Sequence, residues 1–159
     1  MNAMLRVLAT GPRTLVQDLG RPGYAALGVS PSGAADRGAH LLANRLLGNR
    51  PEAATLEVLM GGLTLEAQGA TWVVVTGAPA PTLVEGQPRP HGVPLLLRRG
   101  QHLALGLAAE GLRSYVGVLG GIAVEPVLGS RSTDTLSGLG PRPVAVGAEL
   151  PTGTLIAGG

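Results

Sequence analysis

The chain has 159 residues, of which 45% are hydrophobic and 2% aromatic, and its formal net charge is +2. This length and composition suit one domain with an aliphatic core. The chain has no cysteine, which excludes disulfides and thiolate catalysis, and no lysine, which excludes Schiff-base and phosphate-loop lysines. Its scattered arginines and rare aromatic residues also argue against a nucleic-acid partner.

No apolar run is long enough to predict a transmembrane helix, so no membrane association is expected. The N-terminus lacks the basic region and apolar run of a signal peptide. Together with the absence of cysteine, this favours a cytoplasmic protein. Residues 1–4 are interpreted as an expression remnant or a disordered start, and residues 5–159 as a single domain.

The first half of the chain predicts two strands and one helix. Short apolar runs at 5–9 and 14–17 indicate the strands, which are separated by "TGP". In "AADRGAHLLANRLL" the leucines fall near helical spacing and predict an α-helix near residues 35–47. Ser32 is the expected N-cap, with Asp36 in the first turn, and Gly48 is expected to end the helix.

The remainder of the chain predicts β-structure. Short apolar runs are separated by Gly, Pro and polar residues roughly every eight to twelve positions, which is typical of a sandwich or barrel. The runs are "TLEVLM", "LTLEA", "TWVVVTG", "PTLVEG", "VPLLLRRG", "HLALGLA", "RSYVGVLGG" and "IAVEPVLG". Hairpin turns are predicted at residues 85–87 and 99–101. We expect a mainly β (α+β) domain, barrel or sandwich-like, with one helix.

The few charged residues are concentrated in glycine-punctuated loops. In "VQDLGRPGY", Gln17, Asp18 and Arg21 lie between glycines and a proline. Arginine can hold a carboxylate or carbonyl with its planar fork, and aspartate can accept a hydrogen bond from an amide N–H. Two interpretations stay open: a ligand site, or a loop held by an Asp18–Arg21 ion pair.

Polar residues on the predicted helix allow similar alternatives. Asp36 either caps the helix or binds a ligand beside its N-terminal N–H groups. His40 lies one turn later, but no third ligand is spaced to complete a metal site, so no metal is expected. Asn44 stands in an otherwise apolar helix, where it bonds either a neighbouring loop or a substrate.

Glu57 falls among strand residues in "TLEVLMGG". If its side chain is buried it needs a partner, because an unpaired buried carboxylate is costly. Arg21 or Arg131 is the expected partner. A structural ion pair and a catalytic role both remain open.

The densest hydrogen-bonding run is "GSRSTDT", which contains Ser130, Arg131, Ser132, Thr133 and Asp134. Such a run either cradles an anion or carbonyl with side chains and backbone N–H groups, or satisfies itself as a turn. The chain has no G-x-S-x-G sequence, and neither His91 nor His102 has the setting of a triad histidine. A hydrolytic triad is therefore not predicted.

Taken together and in order, these motifs resemble a known family. The segments are "TLVQDLGRPGY", "GVSPSGAAD", "LANRLLGN", "AATLEVLMGG", "VTGA", "GLRSYVGVLGG" and "LGSRSTDT". They are similar to the KipA family, which includes allophanate hydrolase subunit 2, biotin-dependent carboxyltransferase subdomains A and B, and one of the subunits of 5-oxoprolinase. The resemblance covers about residues 5–150, which corresponds to the N-terminal domain. Members usually add a cyclophilin-like second domain, which this chain is expected to lack.

The resemblance implies amide chemistry in a complex. We expect the N-terminal domain of a KipA-like subunit of ATP-dependent 5-oxoprolinase, which opens 5-oxoproline to glutamate with a KipI-like partner and a third subunit. The alternatives are the carboxyltransferase module of urea carboxylase and a non-enzymatic regulator that binds the kinase inhibitor KipI. The chain should bind no cofactor itself, with ATP or carboxybiotin supplied through partner subunits. Alone it is expected to be inactive and prone to self-association.

This resemblance and the chemistry of the side chains define the candidate site. The candidate catalytic residues are Asp18, Arg21, Asp36 and Arg131. One of the arginines would hold a carbonyl or carboxylate, while one of the aspartates would accept the N–H of a small amide substrate. The candidate substrate-binding residues are Gln17, Asn44, Glu57, Ser132, Thr133 and Asp134.

Overall fold

A computed structural model describes residues 3–154, which form two antiparallel sheets and one α-helix. Sheet A has the strand order β11-β1-β4-β9-β6-β7 and sheet B the order β2-β3-β10-β5-β8. The strands are β1 (Met4–Thr10), β2 (Arg13–Gln17), β3 (Thr55–Leu59), β4 (Leu63–Ala67), β5 (Thr71–Gly77), β6 (Thr82–Val84), β7 (Gln87–Arg89), β8 (Leu95–Leu97), β9 (His102–Leu105), β10 (Arg113–Val118) and β11 (Glu149–Pro151). The helix is α1 (Arg37–Leu47), and a short 3₁₀ helix spans Ala25–Leu27.

The core lies between the two sheets and is aliphatic. In β4, Leu63, Leu65 and Ala67 point inward and are buried, while Thr64 and Glu66 are half-buried on the other face. This alternation follows from the two-residue period of a strand. Burying each large aliphatic side chain stabilises the fold by about 1.5–3 kcal/mol. The mainly β prediction is confirmed: the sheets pack as a sandwich and form no closed barrel among the described residues.

Helix α1 covers the outer face of sheet B over β5 and β10. Ala43 and Leu47 pack on Val74, and Gly117 allows close approach because an added Cβ would lie 3.0 Å from that of Ala43. Thr76 Oγ1 donates to the Ala39 carbonyl at 2.7 Å. No helix within residues 3–154 has the length and hydropathy needed to cross a membrane.

The start of α1 differs from the prediction. Asp36 itself is the N-cap, with extended backbone and a carboxylate that accepts from Ala39 N at 3.0 Å. The helix therefore begins at Arg37, two residues later than expected. Ser32 adopts a left-handed φ of 56° in the preceding loop, so its prediction as the N-cap is wrong. The predicted end at Gly48 is confirmed by its left-handed φ of 72°.

Several β predictions also need correction. The run "IAVEPVLG" forms no strand and only two isolated bridges, Ile122 with Thr152 and Val127 with Ser130. The predicted hairpin turn at 85–87 is confirmed, and it joins β6 to β7, a strand that was not predicted. The turn at 99–101 instead links β8 of sheet B to β9 of sheet A, so it is not a hairpin turn. Residues 1–2 of the expected disordered start lie outside the described residues, whereas Met4 already belongs to β1.

Candidate functional site

Asp18 follows β2 directly and joins two distant sequence clusters. Its Oδ1 accepts from Ser130 Oγ at 2.6 Å, Ser132 Oγ at 2.8 Å and Gly20 N at 2.8 Å. Its Oδ2 accepts from Arg131 N at 2.7 Å. Hydrogen bonds to a charged group each contribute about 1.5–3 kcal/mol. This carboxylate therefore fixes the 130–132 segment against the end of β2.

Arg21 is 1% exposed and holds the same loops from the other side. Its Nε donates to Val127 O at 3.1 Å, and Nη2 donates to Ser132 O at 2.6 Å and Ser130 O at 3.3 Å. Nη1 donates to Ser32 Oγ at 3.3 Å. In the described part of the chain, Asp18 and Arg21 form no ion pair. The guanidinium binds backbone carbonyls instead of the carboxylate. We call the hydrogen-bonded set formed by residues 17, 18, 20, 21 and 130–133 the Asp18 network.

Gln17 and Thr133 complete the Asp18 network but are not fully bonded. Gln17 Nε2 donates to Thr133 O at 3.2 Å. Gln17 Oε1 and Thr133 Oγ1 are buried without a hydrogen-bond partner among residues 3–154. Asp134 lies at the margin and caps its own turn, accepting from Leu136 N at 3.0 Å and Ser137 Oγ at 2.7 Å. These hydrogen bonds, the hydroxyl of Ser137 first, lower the pKa of Asp134.

Arg131 leads from the Asp18 network to the surface. Its backbone N–H is bound by Asp18, and its Nε donates to Val124 O at 2.7 Å. Its side chain borders a cavity of about 380 Å³, the Arg131 recess, which is also lined by Asn49, Arg50 and Glu52. The terminal nitrogens of Arg131 make no hydrogen bond within residues 3–154. They are therefore free to donate to a ligand, and the exposed Arg50 lines the same recess.

Asn44 of α1 supports the wall of the Arg131 recess from behind. Its Nδ2 donates to Pro51 O at 3.2 Å and Ala53 O at 2.9 Å. Its Oδ1 accepts from Asn49 Nδ2 at 3.2 Å, and Asn49 Oδ1 accepts from Gly120 N at 2.8 Å. Of the two roles considered for Asn44, the structure shows the bond to a neighbouring loop.

His40 lies beneath this wall and is fully buried. Its Nδ1 is 2.9 Å from Thr55 Oγ1 and its Nε2 is 3.1 Å from Pro51 O. Burial lowers the pKa of His40, so the neutral ring donates from Nε2 to the carbonyl and accepts from Thr55 at Nδ1. Among the described residues, no group of three His, Cys, Asp or Glu side chains is arranged to hold a metal ion.

Glu57 lies on the outer face of β3, beneath the start of α1. Its Oε2 accepts from Tyr115 Oη at 2.7 Å and Ala35 N at 2.9 Å. Its Oε1 is 3.8 Å from Arg113 Nε. The expectation that Arg21 or Arg131 would pair with Glu57 is therefore wrong. Arg113 was not among the predicted site residues, although the two-residue period of "RSYVGV" places it on the same strand face as Tyr115.

A second cavity lies beside Glu57 and its partners, although Glu57 itself does not line it. Tyr115 Oη accepts from Asp36 N at 2.9 Å, and burial raises the pKa of the Tyr115 hydroxyl. Asp36 and Arg113 border a cavity of about 290 Å³, the Arg113 recess. Arg113 is about one-third exposed, so its guanidinium is only partly engaged with Glu57.

Residues 27–157 match the family described as "Carboxyltransferase domain, subdomain A and B". The chain belongs to this family. This carboxyltransferase domain is 41% identical over 137 residues to a 5-oxoprolinase subunit of Escherichia coli (strain K12), covering 86% of this chain and 44% of that protein. It is 37% identical over 137 residues to urea amidolyase of Saccharomyces cerevisiae, covering 86% of this chain and 8% of that protein.

A solved structure shows the same fold. The K. lactis urea amidolyase aligns with a TM-score of 0.87 and 35% identity, covering 92% of this chain and 9% of that chain. The carboxyltransferase domain thus spans less than half the length of each of these relatives. The family resemblance predicted from the sequence motifs is confirmed.

The predicted site residues of this carboxyltransferase domain fall into separate places. Gln17, Asp18, Arg21, Ser132 and Thr133 share the buried Asp18 network, and Asp134 lies at its margin. Arg131 and Asn44 belong to the Arg131 recess, one at its surface and one behind its wall. Asp36 lines the Arg113 recess, and Glu57 lies behind Arg113, which also lines it. The structure does not bring all the predicted residues into one site.

Proposed function

We propose that this carboxyltransferase domain binds the substrate of an ATP-dependent 5-oxoprolinase, which opens the amide ring of 5-oxoproline to give glutamate. The protein would act in the cytoplasm with a KipI-like subunit and a third subunit. The 41% identity to the E. coli 5-oxoprolinase subunit supports this choice, and the name of that relative implies an assembly of several subunits. The structural observation that carries the proposal is the anchoring of Arg131 at the rim of a recess.

Arg131 is suited to the carboxylate of 5-oxoproline. Because its Nε is already engaged by Val124 O, the two terminal nitrogens are left to donate parallel hydrogen bonds to a carboxylate. Asp18 holds the backbone of Arg131, so less side-chain and loop freedom is lost on binding. In this proposal Asp18, Arg21 and Ser132 position Arg131 and do not contact the substrate.

The chain's own contribution is binding and orientation. It has no lysine to place in a phosphate loop or to carry biotin, and ATP would act through the partner subunits. Asn44 and Asn49 would keep the recess wall in place while the lactam is held by its carboxylate. Asp36, which lines the Arg113 recess, would remain available to a donor group of the substrate or of a partner, and Glu57 would face Arg113 from behind the recess.

A second candidate function is supported by the urea amidolyase relatives and the shared fold. In that case the chain would be part of a urea carboxylase carboxyltransferase, with carboxybiotin supplied by another domain. Urea offers Arg131 a carbonyl oxygen but no carboxylate. The two functions therefore differ in what Arg131 binds.

The test is reconstitution of the protein with its KipI-like partner and the third subunit. Glutamate formation from 5-oxoproline and ATP would be followed, with urea and a biotin carboxylase as the comparison. We expect glutamate formation to depend on this protein, and Arg131→Ala to lower kcat/KM about 10- to 100-fold through loss of charged hydrogen bonds. The matched control is Arg142→Ala, an exposed arginine. Turnover of urea alone, or an unchanged KM in Arg131→Ala, would overturn the proposal.

A further inference from the structure

Three of the four terminal strands of the two sheets are protected. The outer edge of β2 receives backbone hydrogen bonds from Thr133 and Val144, and that of β11 receives one from Ala123. Strand β7 carries Pro88 between polar residues and is exposed throughout. Prolines, charges and covering loops are the usual means by which proteins keep sheet edges from pairing with other chains.

Strand β8 differs from these, because Leu95–Leu97 contains no proline or charge and no loop covers it with backbone hydrogen bonds within residues 3–154, although Pro94 precedes it and Arg98 follows it. It consists of three leucines and pairs only with β5 within residues 3–154, with no other backbone hydrogen bond from Leu95–Leu97. Leu97 belongs to the core, whereas Leu96 is only half-buried and lies directly across from Trp72. Trp72 is 44% exposed. This edge thus combines unpaired backbone groups with an exposed aromatic ring.

The two ends of β8 differ in polarity and charge. Val93, before the strand, is exposed and apolar. Arg98 and Arg99 follow the strand, are exposed, and take part in no ion pair among the described residues. An extended segment that pairs with β8 would therefore be favoured by apolar side chains near Trp72 and a carboxylate near the arginines.

A second copy of this chain does not meet that requirement. If two β8 strands paired antiparallel about Leu96, Arg98 and Arg99 would lie opposite Pro94 and Val93 of the other copy. Both arginine pairs would then remain without a counter-charge. The charge pattern favours a different polypeptide.

We propose that β8 and Trp72 form a docking edge for an extended, acidic-ended strand of the KipI-like subunit. Main-chain hydrogen bonds to β8 supply affinity, and Trp72 is the side-chain anchor. The inference rests on the multi-subunit assembly of the proposed function, and it assigns one surface of this chain to that assembly.

The single tryptophan of the chain provides a specific reporter. The protein would be labelled with 5-fluorotryptophan, giving one fluorine resonance from Trp72, and titrated with the unlabelled KipI-like subunit. We expect the resonance to shift and to lose its H₂O/D₂O isotope effect. Leu96→Lys, and the double change Arg98→Glu with Arg99→Glu, should each weaken binding at least about tenfold. Gln87→Lys and Arg89→Glu on the protected β7 edge are the controls and should leave binding unchanged.

The outcomes separate this inference from the proposed function. A complex that makes glutamate while Trp72 keeps its isotope effect overturns only the docking edge. A complex in which Trp72 is covered but no glutamate is made overturns only the proposed function. Covering of Trp72 at high concentration of this chain alone would identify a second copy as the occupant and overturn the inference. Failure of the KipI-like subunit to bind would also overturn it.

Discussion

Asp18 and Glu57 are both buried carboxylates of sheet B and its connecting loops, but their surroundings differ. Asp18 accepts four hydrogen bonds, which use both of its oxygens. Glu57 accepts two at Oε2, while its Oε1 faces Arg113 at 3.8 Å beside a recess. Both carboxylates are almost fully buried. Within residues 3–154 Glu57 Oε1 accepts no hydrogen bond, and it faces Arg113, which lines the recess.

The comparison separates buried polar residues that hold the fold together from polar residues that lie where a ligand could bind. A carboxylate that accepts four hydrogen bonds from its own chain holds loops together and has little capacity left for a substrate. In the Asp18 network the residue that reaches a cavity is Arg131, which is held by the carboxylate without pairing with it. In the proposed function, the interior residues act by positioning the one at the rim.

The largest effect is expected for Asp18→Asn. An amide NH₂ group would face donors that now bind a carboxylate, so we expect the free energy of unfolding to fall by about 3 kcal/mol in urea titrations. Asp36→Asn is the control, because asparagine is also a good N-cap, and its effect should stay below about 0.5 kcal/mol. Equal effects of the two substitutions would contradict the enclosed character of the Asp18 network.

Glu57→Gln should have a smaller effect. The glutamine retains one acceptor for Tyr115 or Ala35 but loses its charge beside Arg113, and we expect a loss of about 1–2 kcal/mol by the same titration. Tyr115→Phe removes only the hydroxyl and should cost about 1 kcal/mol. The comparison would fail if Glu57→Gln destabilised the protein more than Asp18→Asn.

His40, which is buried and neutral in the folded protein, makes the free energy of unfolding depend on pH. Because burial lowers its folded pKa, the unfolded chain binds the proton more tightly. The contribution of His40 to the free energy of unfolding is therefore complete above about pH 6.5. It falls as the pH drops below that value, by at most about 1.4 kcal/mol per pH unit. His40→Gln should flatten the dependence between about pH 5 and pH 7, and the exposed His91→Gln should not. A steep dependence that survives in His40→Gln would assign it to other groups.

Arg131→Ala should have the smallest effect on stability, less than about 1 kcal/mol, since it removes one partly buried hydrogen bond to Val124. Thermal unfolding would check this before any binding measurement. A larger loss would mean that Arg131 supports the fold, as Arg21 does, and is not held ready for a ligand.

Sequence patterns predicted the strands of the core well, because β4 shows apolar alternation, β5 and β10 are short runs rich in valine, and all three lie between glycines. The patterns failed where hydrogen bonds to distant segments, and not the local composition, decide whether a strand forms. "IAVEPVLG" is apolar but contains Pro126, and its Ile122 and Ala123 N–H groups bond to Ala54 and Pro151 of separate segments. Strand β7 was not predicted because all three of its residues are exposed and polar or proline.

The candidate site was only partly predictable for the same reason. The motifs identified Asp18, Arg21 and Ser132 as candidate site residues. No local sequence signal shows that residues more than a hundred positions apart are in contact. Arg113 was missed because its partner Glu57 lies on the neighbouring strand β3. Such contacts depend on strand pairing, which composition and spacing do not encode.

The most direct test of the account is binding of 5-oxoproline, measured by isothermal titration calorimetry on the protein assembled with its partner subunits. Arg131→Ala and Arg113→Ala would be compared side by side with the unmodified protein. We expect Arg131→Ala to weaken binding at least about tenfold and Arg113→Ala to change it less than about threefold. Binding that is lost in Arg113→Ala and retained in Arg131→Ala would contradict the account and place the substrate in the Arg113 recess.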